Sequence, residues 1–146
     1  MRASVSGATG LIGRRLVRAL LSEGAEVTVL SRDPVRARER LRGLPAPVEA
    51  VAWDPLAQPA PTAALEGRDA VVHLAGASIA QRWSERARSA IRESRVRGTE
   101  HLVAGLAAAS ERPRTLICSS AAGYYGRSGE EPLDEDSPPG ADFLAQ

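Results

Sequence analysis

Residues 4–16 read SVSGATGLIGRRL, and the three glycines in this stretch, Gly7, Gly10 and Gly13, recur at a spacing of three where an apolar run gives way to a helical pattern. The run Ala3–Ser6 predicts a strand. From Leu11 to Ser22 the pattern predicts a helix, with Ile12, Leu16 and Leu20 on one stripe and Gly24 as its C-terminal stop. A strand that passes at once into a helix presents unpaired backbone N–H groups and the positive end of the helix dipole, which together attract a pyrophosphate. Gly7 permits the sharp turn, Gly10 leaves the backbone open to the phosphates, and Gly13 lets the helix lie close to the sheet. The expected phosphate-binding residues are Gly7, Thr9, Gly10, Leu11, Ile12 and Gly13.

Working outward, short runs rich in Val, Ala, Leu and Ile predict further strands at Val27–Leu30, Val48–Ala52, Ala70–Ala75 and Thr115–Cys118. Their hydrophobicity is continuous rather than alternating, which implies strands covered on both faces. An Arg-rich helix is expected at Asp33–Leu41. A long one is expected from Ser84, a capping residue, to about Ala109, with Ala87, Ile91, Gly98 and Leu102 at helical spacing and Gly98 packing closely against a strand. Asp54–Thr62, dense in proline, reads as a loop, and the tail Gly126–Gln146 is rich in Gly, Pro and acid. Strands alternating with helices through right-handed crossovers make an α/β fold, a Rossmann-like doubly wound parallel sheet. The 146 residues fit a single domain, residues 1–146.

Composition narrows the chemistry. With 25% charged residues and a formal net charge of +1, the chain has no global field to recruit nucleic acid or an anionic membrane surface. All 19 basic residues are Arg, so no lysine of this chain can form a Schiff base or assist a proton transfer. The single cysteine, Cys118, excludes an internal disulfide; its apolar setting predicts a buried structural thiol. His73 lies in an apolar run and reads as a core histidine, whereas His101 is expected on the exposed face of the long helix. No cluster of His, Cys and carboxylates suggests a metal site. No apolar run approaches the ~20 residues of a membrane span, and the expectation is a soluble, cytoplasmic protein without a membrane partner.

The segment GATGLIG, residues 7–13, resembles the glycine motif of the extended short-chain dehydrogenase/reductase superfamily. VVHLAGA, residues 71–77, is similar to that superfamily's fourth-strand segment, which implies that the backbone of Leu74, Ala75, Gly76 and Ala77 lines the nicotinamide side of a cofactor. ICSSAAGYYG, residues 117–126, is similar to the fifth-strand end, where nicotinamide and substrate meet. It implies Ser119 at the cofactor and Ser120, Tyr124 and Tyr125 as catalytic candidates. Together with LAGASIAQRWSERARSAIRESRVRGT (residues 74–99) and EDSPPGADFLAQ (residues 135–146), these segments resemble the atypical, sugar-nucleotide-epimerase-like branch of the NAD(P)-dependent epimerase/dehydratase family, sometimes labelled cell-division inhibitors. The resemblance spans the N-terminal half of a typical member, so the C-terminal substrate lobe is expected to lie outside this chain.

NAD-binding relatives usually end the second strand with a carboxylate that holds the ribose hydroxyls. This chain has Ser31 and Arg32 there, a hydroxyl and a guanidinium that suit a 2′-phosphate, so NADP is expected over NAD. Asp33, followed by Pro34, reads as a helix cap. Arg14 either approaches the 2′-phosphate or stays solvated. Asp54 either accepts from the adenine amino group or starts the turn at Pro55. Hydride-transferring members use a Tyr-x-x-x-Lys pair, which this chain lacks; their catalytic serine aligns with Ala121, one residue after Ser120, and Arg95 stands where an active-site Asn is often found. A phenol without a neighbouring ammonium exchanges protons poorly at neutral pH. Tyr124 and Tyr125 are therefore either alternative acids or packing groups beside the nicotinamide. The expected function is an NADP(H)-binding protein of the epimerase/dehydratase type, oxidoreductase or epimerase-like, with a small-molecule substrate, a nucleotide sugar being one candidate. The rival reading is a redox sensor or regulatory module that holds the dinucleotide without turnover. The long helix is a candidate surface for a homodimer.

Overall fold

The computed structural model describes residues 1–126 and 129–146. Five strands, β1 (Arg2–Ser6), β2 (Glu26–Ser31), β3 (Glu49–Ala52), β4 (Ala70–His73) and β5 (Thr115–Cys118), form one sheet in the order β3-β2-β1-β4-β5, every pair parallel. Three helices connect them: α1 (Leu11–Ser22), α2 (Pro34–Arg40) and α3 (Glu85–Ala108). Thr62–Ala64 and Ala122–Tyr125 form short 3-10 turns. The order reverses between β1 and β4, the switch point at which open parallel sheets bind dinucleotides.

Continuous apolar strands are needed because neighbouring residues feed two cores. Val29 and Val72 join Val5, Val17, Leu21 and Leu41 on the side of α1 and α2, whereas Leu30 and Val71 join Trp53, Leu65 and Leu102 on the side of α3. Polar residues of the inner strands are satisfied in place: the Ser4 hydroxyl donates to the Ala64 carbonyl, and Thr28 Oγ1 donates to Glu49 Oε2 at 2.8 Å. Both expected caps form. Asp33 Oδ1 accepts from the Arg36 N–H at 2.9 Å with Pro34 at the start of α2, and Ser84 Oγ accepts from the Ala87 N–H at 3.2 Å.

Several expectations are corrected. The buried row of α1 is Gly13, Val17 and Leu21; Ile12 is exposed, and Leu16 and Leu20 are half-buried, because the close seat of Gly13 on the preceding turn rotates the helix by one residue. On α3 the stripe Ala87, Ile91, Gly98 and Leu102 is buried as expected, but the tight approach is at Gly105, where a methyl would overlap the Ala60 carbonyl. Gly98 meets Pro55, in the segment after β3, rather than a strand. His101 is half-buried, its Nδ1 2.8 Å from the Pro55 carbonyl oxygen. β4 ends at His73 instead of Ala75, although the chain stays tied to β1 through Leu74 N–H donating to the Ser6 carbonyl at 3.2 Å. β5 is exposed along its whole length, and Cys118 with it, because β5 packs chiefly on β4 and, among the described residues, no helix is laid broadly over its faces, whereas β3, at the other edge, is backed by α2. Among the described residues no helix is long and apolar enough to cross a membrane.

Candidate functional site

The turn between β1 and α1 is pressed against the end of β4. Gly7 has φ +71°, and a methyl there would stand 2.6 Å from the Leu74 carbonyl carbon. A side chain at this position is excluded by both conformation and space. Gly10 is the N-cap residue of α1; having no side chain, it leaves the first N–H groups of the helix uncapped and open to an anion. A methyl on Gly13 would overlap the Gly7 carbonyl, so its absence is what brings the helix onto the turn.

A groove of about 280 Å³ runs across this turn, from the end of β2 to the end of β4. Of the residues expected at a cofactor, it is lined by Gly7, Thr9, Gly10, Ser31, Arg32, Leu74, Ala75 and Gly76. Trp53 and Pro55, with Ala8, Val29 and Leu30, complete its walls; the indole, fully buried, donates from Nε1 to the Gln58 carbonyl at 3.0 Å. The remaining expected contacts lie outside the groove. Gly13 sits beneath the turn, and Leu11 and Ile12 are exposed on the outer face of α1. Ala77 lies one residue past Gly76, held by α3. Ser119 leaves β5 beside β4, its N–H donating to the His73 carbonyl at 3.1 Å. Arg14 borders, with Arg15 and Arg18, a second groove that shares Thr9 and Gly10 with the first. Asp54 resolves as a turn residue, Oδ1 accepting from the Leu56 N–H at 3.0 Å.

Beside the end of β2 a chamber of about 180 Å³ is lined by Thr9, Ser31, Arg32, Asp33, Arg36, Ala37 and Arg40. Its one carboxylate, Asp33, is engaged at the α2 N-terminus. Among the described residues the only ion pair joins Arg68 and Glu49, so Arg32, Arg36 and Arg40 carry no partnered carboxylate. Three guanidiniums thus border one small polar chamber, a donor set that suits an anion. Arg36 and Arg40 are not among the residues expected from the sequence, although their i, i+4 spacing on α2, just after Arg32, is the signal that finds them.

Beneath the groove, His73 is buried, with Nδ1 2.6 Å from Ser6 Oγ and Nε2 lacking any partner. Burial holds its pKa below the ordinary imidazole range. On the far side, Ser120 is exposed, and Tyr124 and Tyr125 form an edge-to-face pair with centroids 5.2 Å apart on the 3-10 turn after β5. That turn is tied to the tail by the Gly140 N–H donating to the Tyr124 carbonyl at 2.9 Å. A cleft of about 720 Å³ lies between Trp83 and Arg88 on one wall and Asp142, Phe143 and Leu144 on the other, the Trp83 and Phe143 rings meeting at 5.6 Å. Its walls are some sixty residues apart in sequence, which hid it from motif reading. Among the described residues no three His, Cys, Asp or Glu side chains gather as a metal site.

The geometry of a glycine turn at the switch point has a counterpart in known proteins. Residues 3–143 match the NAD dependent epimerase/dehydratase family. An epimerase family protein of Arabidopsis thaliana, a chloroplastic homologue of SDR39U1, is 38% identical over 152 residues, covering 100% of this chain and 42% of that protein. The crystal structure of the human epimerase family protein SDR39U1 (isoform 2) with NADPH superposes with a TM-score of 0.78 at 31% identity, over 99% of this chain and 45% of that one. A short-chain dehydrogenase/reductase superfamily protein from Agrobacterium tumefaciens with bound NAD gives a TM-score of 0.74 at 26% identity, over 99% and 41%. The chain thus spans less than half the length of the relatives it matches. It belongs to the NAD-dependent epimerase/dehydratase family, whose model covers nearly all of its length.

Proposed function

We propose that this chain binds NADP(H) as the dinucleotide-binding part of an epimerase/dehydratase-type enzyme acting on a small molecule by oxidoreductase or epimerase-like chemistry. The observation that carries the reading is the chamber of Arg32, Arg36 and Arg40 at the end of β2, continuous in sequence with the groove residues Ser31 and Arg32. A dinucleotide fits this chain's residues. The groove spans the switch point, the open N-terminus of α1 suits the pyrophosphate, and the guanidiniums suit a 2′-phosphate, which a carboxylate at Ser31 would repel. The relative crystallised with NADPH supports the same choice.

When bound, the nicotinamide supplies hydride-transfer chemistry at the β4 side of the groove. This chain's own residues bind and orient. Thr9, Gly10 and the first turn of α1 hold phosphate oxygens, Trp53 and Pro55 wall the adenine side, and Leu74–Gly76 form the floor on the other. Ser120, Tyr124 and Tyr125 follow β5, the neighbouring strand, and are the groups available to a substrate hydroxyl or carbonyl. The Trp83–Phe143 cleft supplies an apolar wall on that side. Calorimetric titration of NADP(H) and NAD(H) into wild type and Arg32→Ala tests the reading. Tighter NADP(H) binding, lost selectively in the variant, is expected; equal affinities in wild type would overturn it.

A further inference from the structure

We propose that Ser94 and Arg95 on α3 act as a positioning clasp that fixes the Gly76–Ala77 backbone beneath the nicotinamide half of a bound dinucleotide; the inference rests on the NADP(H) reading above. Two successive side chains of one helix grip a single residue of the loop after β4. The Ala77 N–H donates to Ser94 Oγ at 2.9 Å, and an Arg95 terminal nitrogen donates to the Ala77 carbonyl at 3.2 Å. Both side chains are themselves tied to one carbonyl. Ser94 Oγ donates to the Ile91 oxygen at 3.0 Å and the same Arg95 nitrogen to it at 3.1 Å. Ile91 is buried, so the clasp is referred back to the core.

The other end of the segment is fixed from β1. Leu74 N–H donates to the Ser6 carbonyl at 3.2 Å, and Ala75 N–H reaches Ser6 Oγ at 3.4 Å. Gly76, between the two anchors, lines the groove and is exposed. The Arg95 guanidinium lies against it, its carbon 3.5 Å from the place a methyl would take, an ordinary contact distance. Beyond Ala77, residues 78–83 belong to no helix or strand and are exposed, so the clasp marks where the ordered floor ends. Ser94 and Arg95 stand off the buried stripe of α3, Ala87, Ile91, Gly98, Leu102 and Gly105, which seats the helix without them. Their loss should loosen the floor and spare the fold. From the end of β2 the groove crosses the β1 turn to reach Leu74–Gly76, so the half of the dinucleotide carrying the 2′-phosphate lies far from the clasp and the nicotinamide half lies over it.

Calorimetry with NADP⁺ and with adenosine 2′,5′-bisphosphate, which lacks the nicotinamide half, separates the two ends, applied to wild type, Ser94→Ala, Ser94→Thr and Arg95→Met. Ser94→Ala and Arg95→Met should each weaken NADP⁺ by roughly threefold to tenfold, the range of one or two net hydrogen bonds. Binding of the bisphosphate and the melting temperature should not change. Ser94→Thr, which keeps the hydroxyl, should bind as wild type does. The double variant should lose less than the product of the two single losses, because both side chains hold one peptide unit. Unchanged NADP⁺ affinity in both loss variants overturns the clasp and leaves the NADP(H) reading standing, as does a parallel loss of both ligands. A wild type that binds the bisphosphate as tightly as NADP⁺ overturns the clasp alone. A wild type that binds neither overturns both.

Discussion

Two strand ends on the carboxyl side of the sheet, one inner and one at its edge, are built to different standards. At the end of β2, Val27, Thr28, Val29 and Leu30 are all buried between β1 and β3, and α2 starts three residues later under an Asp33 cap with proline at its first position. Ser31 and Arg32 are thus presented by backbone held on every side. At the end of β5, Leu116 is 42% and Ile117 50% exposed, and the strand runs into a single 3-10 turn carrying two tyrosines. Candidate recognition groups therefore sit on a closely packed, capped corner, whereas candidate reacting groups hang from an uncovered edge. Preorganised donors are what give a site both affinity and rate, so binding and turnover should come apart in this chain.

The largest expected effect is on turnover. With no lysine anywhere in the chain and Ala121 at the aligned serine position, lysine-assisted proton exchange is missing, a contribution typically of ~10²–10⁴-fold. Incubated with NADPH and a panel of carbonyl compounds and nucleotide sugars, the chain should oxidise cofactor at a rate near background, followed at the nicotinamide absorbance band. Robust turnover abolished by Tyr124→Phe or Tyr125→Phe would reverse the comparison and name the acid.

Next come the glycines, which test the closely packed side. Gly10→Val places a branched side chain in the path of the pyrophosphate while meeting only the Gly7 carbonyl, 3.3 Å from the added carbon, so dinucleotide binding should vanish with circular dichroism unchanged. Gly13→Val should instead cost stability, about 3 kcal/mol or more, because its first carbon would overlap backbone of Gly7 and Ala8. Persistent binding in Gly10→Val would move the phosphate site elsewhere.

The same contrast explains what was legible beforehand. Strand and helix order followed from period and punctuation, since parallel strands buried on both faces leave continuous apolar runs and the caps Asp33 and Ser84 are local signals. Residues 115–118 carry the same kind of apolar run as the inner strands, yet position at an edge is a property of topology that no local run encodes, and Cys118 was misplaced with them. The glycine turn was legible because its constraint is conformational. The walls from Pro55, Arg36 and Arg40 depend on how separate loops converge, and only the i, i+4 spacing of Arg36 and Arg40 on α2 left a trace. Ile12 shows the limit of stripe reading: its period was right, but the phase was set by the Gly13 contact.

A smaller effect separates the two cofactors. Arg32→Ala, Arg36→Ala and Arg40→Ala should each weaken NADP(H), with Arg32 the strongest at on the order of tenfold, since hydrogen bonds to charged groups contribute roughly 1.5–3 kcal/mol. NAD(H) should be nearly unaffected. The losses should shrink as salt is raised, because these guanidiniums are exposed. Equal losses for both cofactors would place the arginines at the pyrophosphate instead of the 2′-phosphate.

The smallest effect lies beneath the groove, at His73. Burial lowers its pKa in the folded chain, so the folded state holds the imidazole neutral at a pH where the unfolded chain already binds a proton. Because the unfolded state then binds more protons, stability must fall as pH falls through the unfolded pKa of about 6.5, and must level off above it. The loss from this one group is to be read between pH 7 and pH 6, the unit that spans the unfolded pKa. His73→Asn can keep a polar atom near the position of Nδ1 for the 2.6 Å contact with Ser6 but cannot titrate, so its melting temperature should depend less steeply on pH over that unit than that of wild type. An identical pH slope in the two proteins would show that another group titrates there and that the buried imidazole is silent.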